Sequence, residues 1–166
     1  MPHTRRSRPL LALVGASLLL AAAGQAQAPE LAGTWRIDLA ASDASRNGPS
    51  PRDTRLTVSL VGDDVRIARE IGLGAAQPRT HDATYVTDGK PHEVPGILQP
   101  TQQVRARWRK DKLQISYAIS RQSPRGAFEL DVTEVWSVDK EGALQIAYST
   151  RVQDRNVVRR EIYRRE

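Results

Sequence analysis

The 166-residue sequence contains no cysteine, a single phenylalanine and a single methionine. Without cysteine there can be no disulfide framework, thiol nucleophile, thiolate zinc site or lipidated cysteine. Long apolar runs are also scarce. The longest, Leu10 to Ala23, has 14 residues, short of the ~18 that a spanning helix needs. Helical periodicity is nearly missing after residue 28, and no Gly-x-Ser-x-Gly elbow occurs, which argues against an α/β hydrolase. Gly72-Leu73-Gly74-Ala75-Ala76-Gln77 lacks the third glycine and the following helix of a dinucleotide fingerprint.

The apolar run has a context of its own. Arg5, Arg6 and Arg8 precede it and Ala26-Gln27-Ala28 follows it, the order of a secretory signal peptide with a small–x–small cleavage site. Residues 1–28 are therefore expected to be removed. Arg8 and Pro9 stand where a twin-arginine signal would be apolar, so the general secretory route to the periplasm or the exterior is expected. The remaining residues 29–166 carry 22 basic and 19 acidic side chains, a net charge of +3 against +6 for the whole sequence. Their length suits one domain.

Within that domain, alternation of apolar and polar residues dominates, the pattern of strands with one buried face. Trp35, Ile37 and Leu39 alternate with Arg36 and Asp38, and Leu56, Val58 and Leu60 with Thr57 and Ser59. Gly62-Asp63-Asp64 leads into a second strand of a hairpin. Asp88-Gly89 between His81–Thr87 and Lys90–Val94 reads as a tight hairpin turn. Further on there is an echo. Trp108 and Trp136 each precede a polar turn and then Leu-Gln-Ile-x-Tyr, at Leu113 to Tyr117 and at Leu144 to Tyr148. Nine or ten strands at short, even spacing predict an all-β antiparallel meander, closed into a barrel or stacked as a sandwich. Closure is favoured because it removes exposed edges.

Leu31-Ala32-Gly33-Thr34-Trp35-Arg36-Ile37-Asp38 resembles the opening strand of small exported bacterial lipocalin-like (calycin-type) β-barrel proteins, whose first strand carries Gly-x-Trp. Thr84 to Lys90, the hairpin Trp136 to Ile146 and the closing Ile162-Tyr163-Arg164 follow in matching order. The helix after a typical lipocalin barrel is missing. The resemblance implies a single up-and-down barrel with a central cavity. It also implies that Gly33 and Trp35 close the barrel floor, with an arginine of the last strand, Arg160 or Arg164, over the Trp35 ring.

Candidate site residues follow from what sits on the wrong face. Glu134 shares its stripe with Leu130, Val132, Trp136 and Val138, and a carboxylate there is costly unless paired or hydrated. It is a polar anchor in a ligand cavity, a residue turned outward by a bulge, or the partner of an arginine on a neighbouring strand. Trp108, Tyr117, Trp136 and Tyr148 are the aromatic side chains expected to line such a cavity with it. His81, Asp82, His92 and Glu93 would be the metal alternative, but two solvated hairpin histidines explain them, so neither metal nor cofactor is expected. Arg105, Arg107 and Arg109 alternate with apolar residues and form an outward basic stripe. Exported proteins rarely meet nucleic acid, so anionic lipid or lipopolysaccharide is the partner that stripe would suit. The expected function is non-catalytic binding of a small apolar or amphipathic molecule. The alternative is an envelope interaction protein with a filled barrel.

Overall fold

The alternating segments become ten strands in a computed structural model that describes residues 29–43, 52–72, 77–97, 99–123, 126–152 and 155–166. The expected signal segment and the connection around residues 44–51 lie outside the described residues. A 3-10 turn, Pro29–Leu31, leads into β1 (Gly33–Ile37). Then come β2 (Thr54–Val61), β3 (Asp64–Ile71), β4 (Arg79–Tyr85), β5 (Asp88–Pro95) and β6 (Thr101–Arg109). The chain ends with β7 (Lys112–Ser123), β8 (Gly126–Val138), β9 (Leu144–Val152) and β10 (Arg155–Arg165). All pair antiparallel in one sheet, in the order β4-β3-β2-β1-β10-β9-β8-β7-β6-β5. The architecture is a meander whose first and last strands meet, a nearly closed up-and-down barrel.

The one break in the ladder falls between β4 and β5. Asp88-Gly89 was expected to be the tight turn joining them, but the chain turns at Val86 and Thr87, and Asp88 already belongs to β5. Gly89 does have positive φ, +78°. It serves an irregularity in the pairing of β5 with β6, where the register shifts between Asp88 and Pro91. Two prolines, Pro91 and Pro95, lie in β5, and proline is tolerated on an edge strand because the missing N–H faces no partner there. Across the gap His81 Nε2 donates to the Pro95 carbonyl at 2.8 Å.

At one end the barrel is sealed. Trp35 is fully buried and its Nε1 donates to the Leu31 carbonyl at 3.0 Å. The cation over its ring is Arg165, with the guanidinium carbon 4.3 Å from the ring centroid. This corrects the expectation of Arg160 or Arg164. Parity is the reason. Trp35 stands opposite Arg165 in the β1–β10 register, whereas Arg164 faces out to Asp38 and Arg160 out to Asp43. The Arg165 guanidinium also donates to the Ala32 and Glu30 carbonyls, both at 2.9 Å. It lies over Gly33, whose φ is +142° and whose missing Cβ leaves room for Arg165 Nη1. The glycine of Gly-x-Trp is thus required twice. Gly33→Ala is expected to cost about 1–3 kcal/mol through backbone strain and loss of the Arg165 seat. Thermal melts would show it, and an unchanged midpoint would refute the account.

Leu39, expected inside with Trp35 and Ile37, is about half exposed. The chain turns at Asp38, because β1 ends and residues 38–43 continue along the edge of β10. There Ser42 Oγ accepts from Ile162 N at 2.9 Å, and Asp43 Oδ2 accepts from Arg160 N at 2.8 Å. This satisfies backbone donors that a longer β1 would have served.

Packing is uneven along the barrel axis. Near the floor Trp35, Val65, Ile67, Leu113, Trp136, Leu144 and Ile146 are completely buried. Toward the other end the inward-facing Ile119, Leu130 and Thr150 are only half-buried, and Phe128 and Val157 are exposed at the rim. The core fills the lower half of the barrel.

Candidate ligand site inside the barrel

Two polar clusters sit where the packed half gives way to the upper half, each built on a glutamate. Glu134 of β8 is 1% exposed. Its Oε2 accepts from Arg69 Nη2 at 2.9 Å and from Trp136 Nε1 at 2.8 Å, and its Oε1 accepts from the Tyr117 hydroxyl at 2.7 Å. Arg69 comes from β3, on the opposite wall, so the ion pair spans the barrel instead of joining neighbouring strands. Its guanidinium carbon also lies 5.1 Å from the Trp136 ring centroid. Burial works against the Arg69 charge. The attraction of Glu134 together with that of Tyr148, Tyr85 and Tyr117 outweighs it, and the guanidinium pKa stays well above its ordinary value.

The second cluster repeats the first on the next pair of strands. Glu161 of β10 takes the Tyr148 hydroxyl at 3.0 Å and the Tyr163 hydroxyl at 2.9 Å on Oε2, and Arg159 Nη2 at 2.9 Å on Oε1. The registers correspond. Ile115 stands opposite Glu134 and Leu113 opposite Trp136, as Ile146 stands opposite Glu161 and Leu144 opposite Tyr163. The sequence echo Leu-Gln-Ile-x-Tyr therefore has a structural meaning. Each copy places a leucine and an isoleucine against the next strand and hands a tyrosine hydroxyl diagonally to its glutamate.

Tyr117 and Tyr148 mark the boundary of the packed half. Burial raises both phenol pKa values well above the usual tyrosine range, with the nearby Glu134 charge adding to it. Yet both side chains keep accessible surface. On the same inward stripes, the next residues toward the open end are the half-buried Ile119, Leu130 and Thr150.

The residues singled out from the sequence are thus partly brought together. Glu134, Trp136, Tyr117 and Tyr148 meet in one layer, with Trp136 and Glu134 packed beneath the two phenols. Trp108 is half-buried lower on β6 and packs against the core, its Nε1 without a partner among the described residues. The proposed histidine–carboxylate quartet does not assemble. His81 bonds Pro95, Asp82 pairs with Arg66, and His92 pairs with Asp88 at 2.9 Å. Arg105, Arg107 and Arg109 are exposed on β6. Arg69, Arg159, Glu161 and Arg165 were missed. Arg69 carried the same signal as Glu134, a charge within the apolar stripe Val65, Ile67, Ile71.

With ten antiparallel strands in sequence order and a sealed floor, the chain can be set beside known barrels. The fold is a calycin-like β-barrel. Zebrafish ileal bile acid-binding protein complexed with cholic acid is similar at a TM-score of 0.61 and 11% identity, over 82% of this chain and 99% of that one. The REP1-NXSQ fatty acid transporter follows at 0.56 and 14%, over 84% and 98%. The fluorescent protein UnaG gives 0.52 and 17%, over 82% and 98%. No protein-family model and no curated protein matches the sequence. Among the described residues of this calycin-like barrel no helix is long and apolar enough to cross a membrane.

Proposed function

We propose that the chain is a non-catalytic binding protein that holds one small apolar or amphipathic molecule in the upper half of its barrel, after export to the periplasm or the exterior. The observation that carries this reading is the inward-facing layer of half-buried Tyr117 and Tyr148, followed toward the open end by the half-buried Ile119, Leu130 and Thr150. Such a combination of apolar lining and a few placed polar groups is what small-molecule sites present. The similar barrels with a bile acid or fatty acid in their names support it at the level of fold. Both oxygens of Glu134 are engaged by donors, which favours a structural carboxylate over a general base.

Native mass spectrometry of the protein purified from its own compartment tests the reading. A saturable, extractable adduct of a few hundred daltons, roughly the size such cavities take, is the expected result. Protein that carries nothing and binds no apolar probe would overturn it.

A second reading rests on the outer face. Arg105 and Arg107 border a shallow groove of about 130 Å³ with Gly89, Gln114 and Ser116. Arg107 is held by Gln114 at 3.1 and 3.2 Å. The β1–β4 wall differs, because there Arg36, Arg55 and Arg66 are all in ion pairs. Among the described residues Arg105, Arg107 and Arg109 are in no ion pair, and this β6 face suits anionic lipid, lipopolysaccharide or a protein partner.

A further inference from the structure

The open end of the barrel carries a surface of its own. Two hairpins run on there past their neighbours. The backbone of β7 pairs with β6 only as far as Tyr117, and β8 with β9 only as far as Asp131. Yet β7 and β8 stay paired to Ser123 and Gly126. Likewise β9 and β10 pair on to Val152 and Arg155, whereas residues 38–43 reach β10 only at Arg160 and Ile162. Of the five large apolar side chains exposed among the described residues, three stand on these hairpin ends. They are Phe128, Val157 and Val158, the last 67% exposed. Single exposed apolar residues need no explanation, but a group of them marks a surface that something covers.

Cations are placed with them. Arg121 stands directly opposite Phe128, and Arg155 shares a face with Val157 two residues on. Across the mouth, Arg79 heads the inward stripe of β4. All three arginines are exposed and have no ion pair or hydrogen bond among the described residues. Glu129 and Asp131 of β8 have the opposite parity to Phe128 and face outward. Glu134 and Glu161 share the inward faces, but they lie deeper and are engaged by Arg69 and Arg159.

This combination distinguishes among possible covers. A second copy seated mouth to mouth would set the same arginines against one another, and like charges oppose that. Projecting apolar tips beside unpaired arginines suit a fluid anionic interface. The apolar side chains enter the acyl boundary, while guanidinium groups on long apolar stems reach the phosphates.

We propose that the open end of the barrel docks on a lipid bilayer with anionic phosphate headgroups, through Phe128, Val157, Val158, Arg79, Arg121 and Arg155. The proposal goes beyond the binding reading, requires no occupied cavity and uses a surface separate from the β6 face.

Vesicle flotation tests it on protein purified from its own compartment. The vesicles are phosphatidylcholine alone, or phosphatidylcholine mixed with phosphatidylglycerol at about three to one. Wild type is expected to bind the mixed vesicles more tightly by about tenfold or more, since each arginine near an anionic leaflet contributes roughly fivefold. Arg121→Glu with Arg155→Glu should abolish that preference. Phe128→Ser with Val158→Ser should weaken binding to the mixed vesicles by about tenfold or more, the worth of burying one such side chain. Circular dichroism checks that each variant is folded, and should one pair not fold, the other decides. Wild type that floats with neither vesicle overturns the proposal. Binding that survives in both folded rim variants overturns it too, and its loss in Arg105→Glu with Arg107→Glu would then assign the lipid surface to β6. None of these outcomes touches the binding reading, which native mass spectrometry decides separately.

Discussion

Glu134→Ala is expected to destabilise the barrel by about 3–5 kcal/mol, the cost of leaving a buried charge without its partner. The substitution strands the Arg69 guanidinium in the packed half, where its side chain is 7% exposed. It also removes the acceptor for the Trp136 N–H and the Tyr117 hydroxyl, each of which then carries a desolvation penalty. A domain of this size has only about 5–15 kcal/mol in total, so the variant should unfold at much lower urea. Replacing both partners, Arg69→Met with Glu134→Leu, should recover most of the loss, because an apolar pair of similar volume needs no hydrogen bonds. Wild type, Arg69→Met, Glu134→Leu and the double variant form a double-mutant cycle read by tryptophan fluorescence. A loss under about 1 kcal/mol for Glu134→Ala would mean that water reaches the cluster and the pair is not a strut.

That strut shows how far the sequence can be read. Period-two parity assigns a face to each residue; it singled out Glu134, and the missed Arg69 stands in the same way among Val65, Ile67 and Ile71. Parity says nothing about which stripes meet across a barrel, since that depends on strand tilt and stagger around the closed sheet. The Arg69–Glu134 contact therefore could not be deduced from spacing, although both residues interrupt an apolar stripe.

Glu161 was hidden for another reason. The last strand has apolar residues on both parities, Val157, Tyr163 and the outward-facing Val158 and Ile162. Ile162 is buried, at the place where residues 38–43 hydrogen-bond along the edge of β10. With apolar residues on both parities, the alternation that reveals a misplaced charge is lost. The Asp88-Gly89 turn failed for a third reason. A glycine that accepts positive φ serves a bulge as well as a hairpin, and the choice is made by pairing with β6. The ten-strand meander was legible because strand tilt leaves the alternation along each strand unchanged.

Raising the pH above 10 should unfold the barrel in one step that coincides with tyrosine ionisation. All four tyrosines of the sequence have raised pKa values, with burial the largest cause in each, and Tyr117, Tyr148 and Tyr163 are held well above the ordinary value. The sign follows from linkage. Above pH 10 the unfolded chain has released protons that the folded chain still holds, so stability is complete below pH 10 and is lost as pH rises toward the folded values. Each such group contributes up to about 1.4 kcal/mol per pH unit, so three together remove roughly 4 kcal/mol per unit. That exhausts a typical stability within two to three units. Phenolate absorbance at ~295 nm should stay flat past the pH where free tyrosine titrates, then rise together with the loss of the β-sheet circular dichroism. Tyr148→Phe should make the transition shallower by about one proton. Gradual titration near pH 10 with the sheet signal intact would show that the phenols are freely hydrated, and the enclosed layer beneath the ligand space would have to be abandoned.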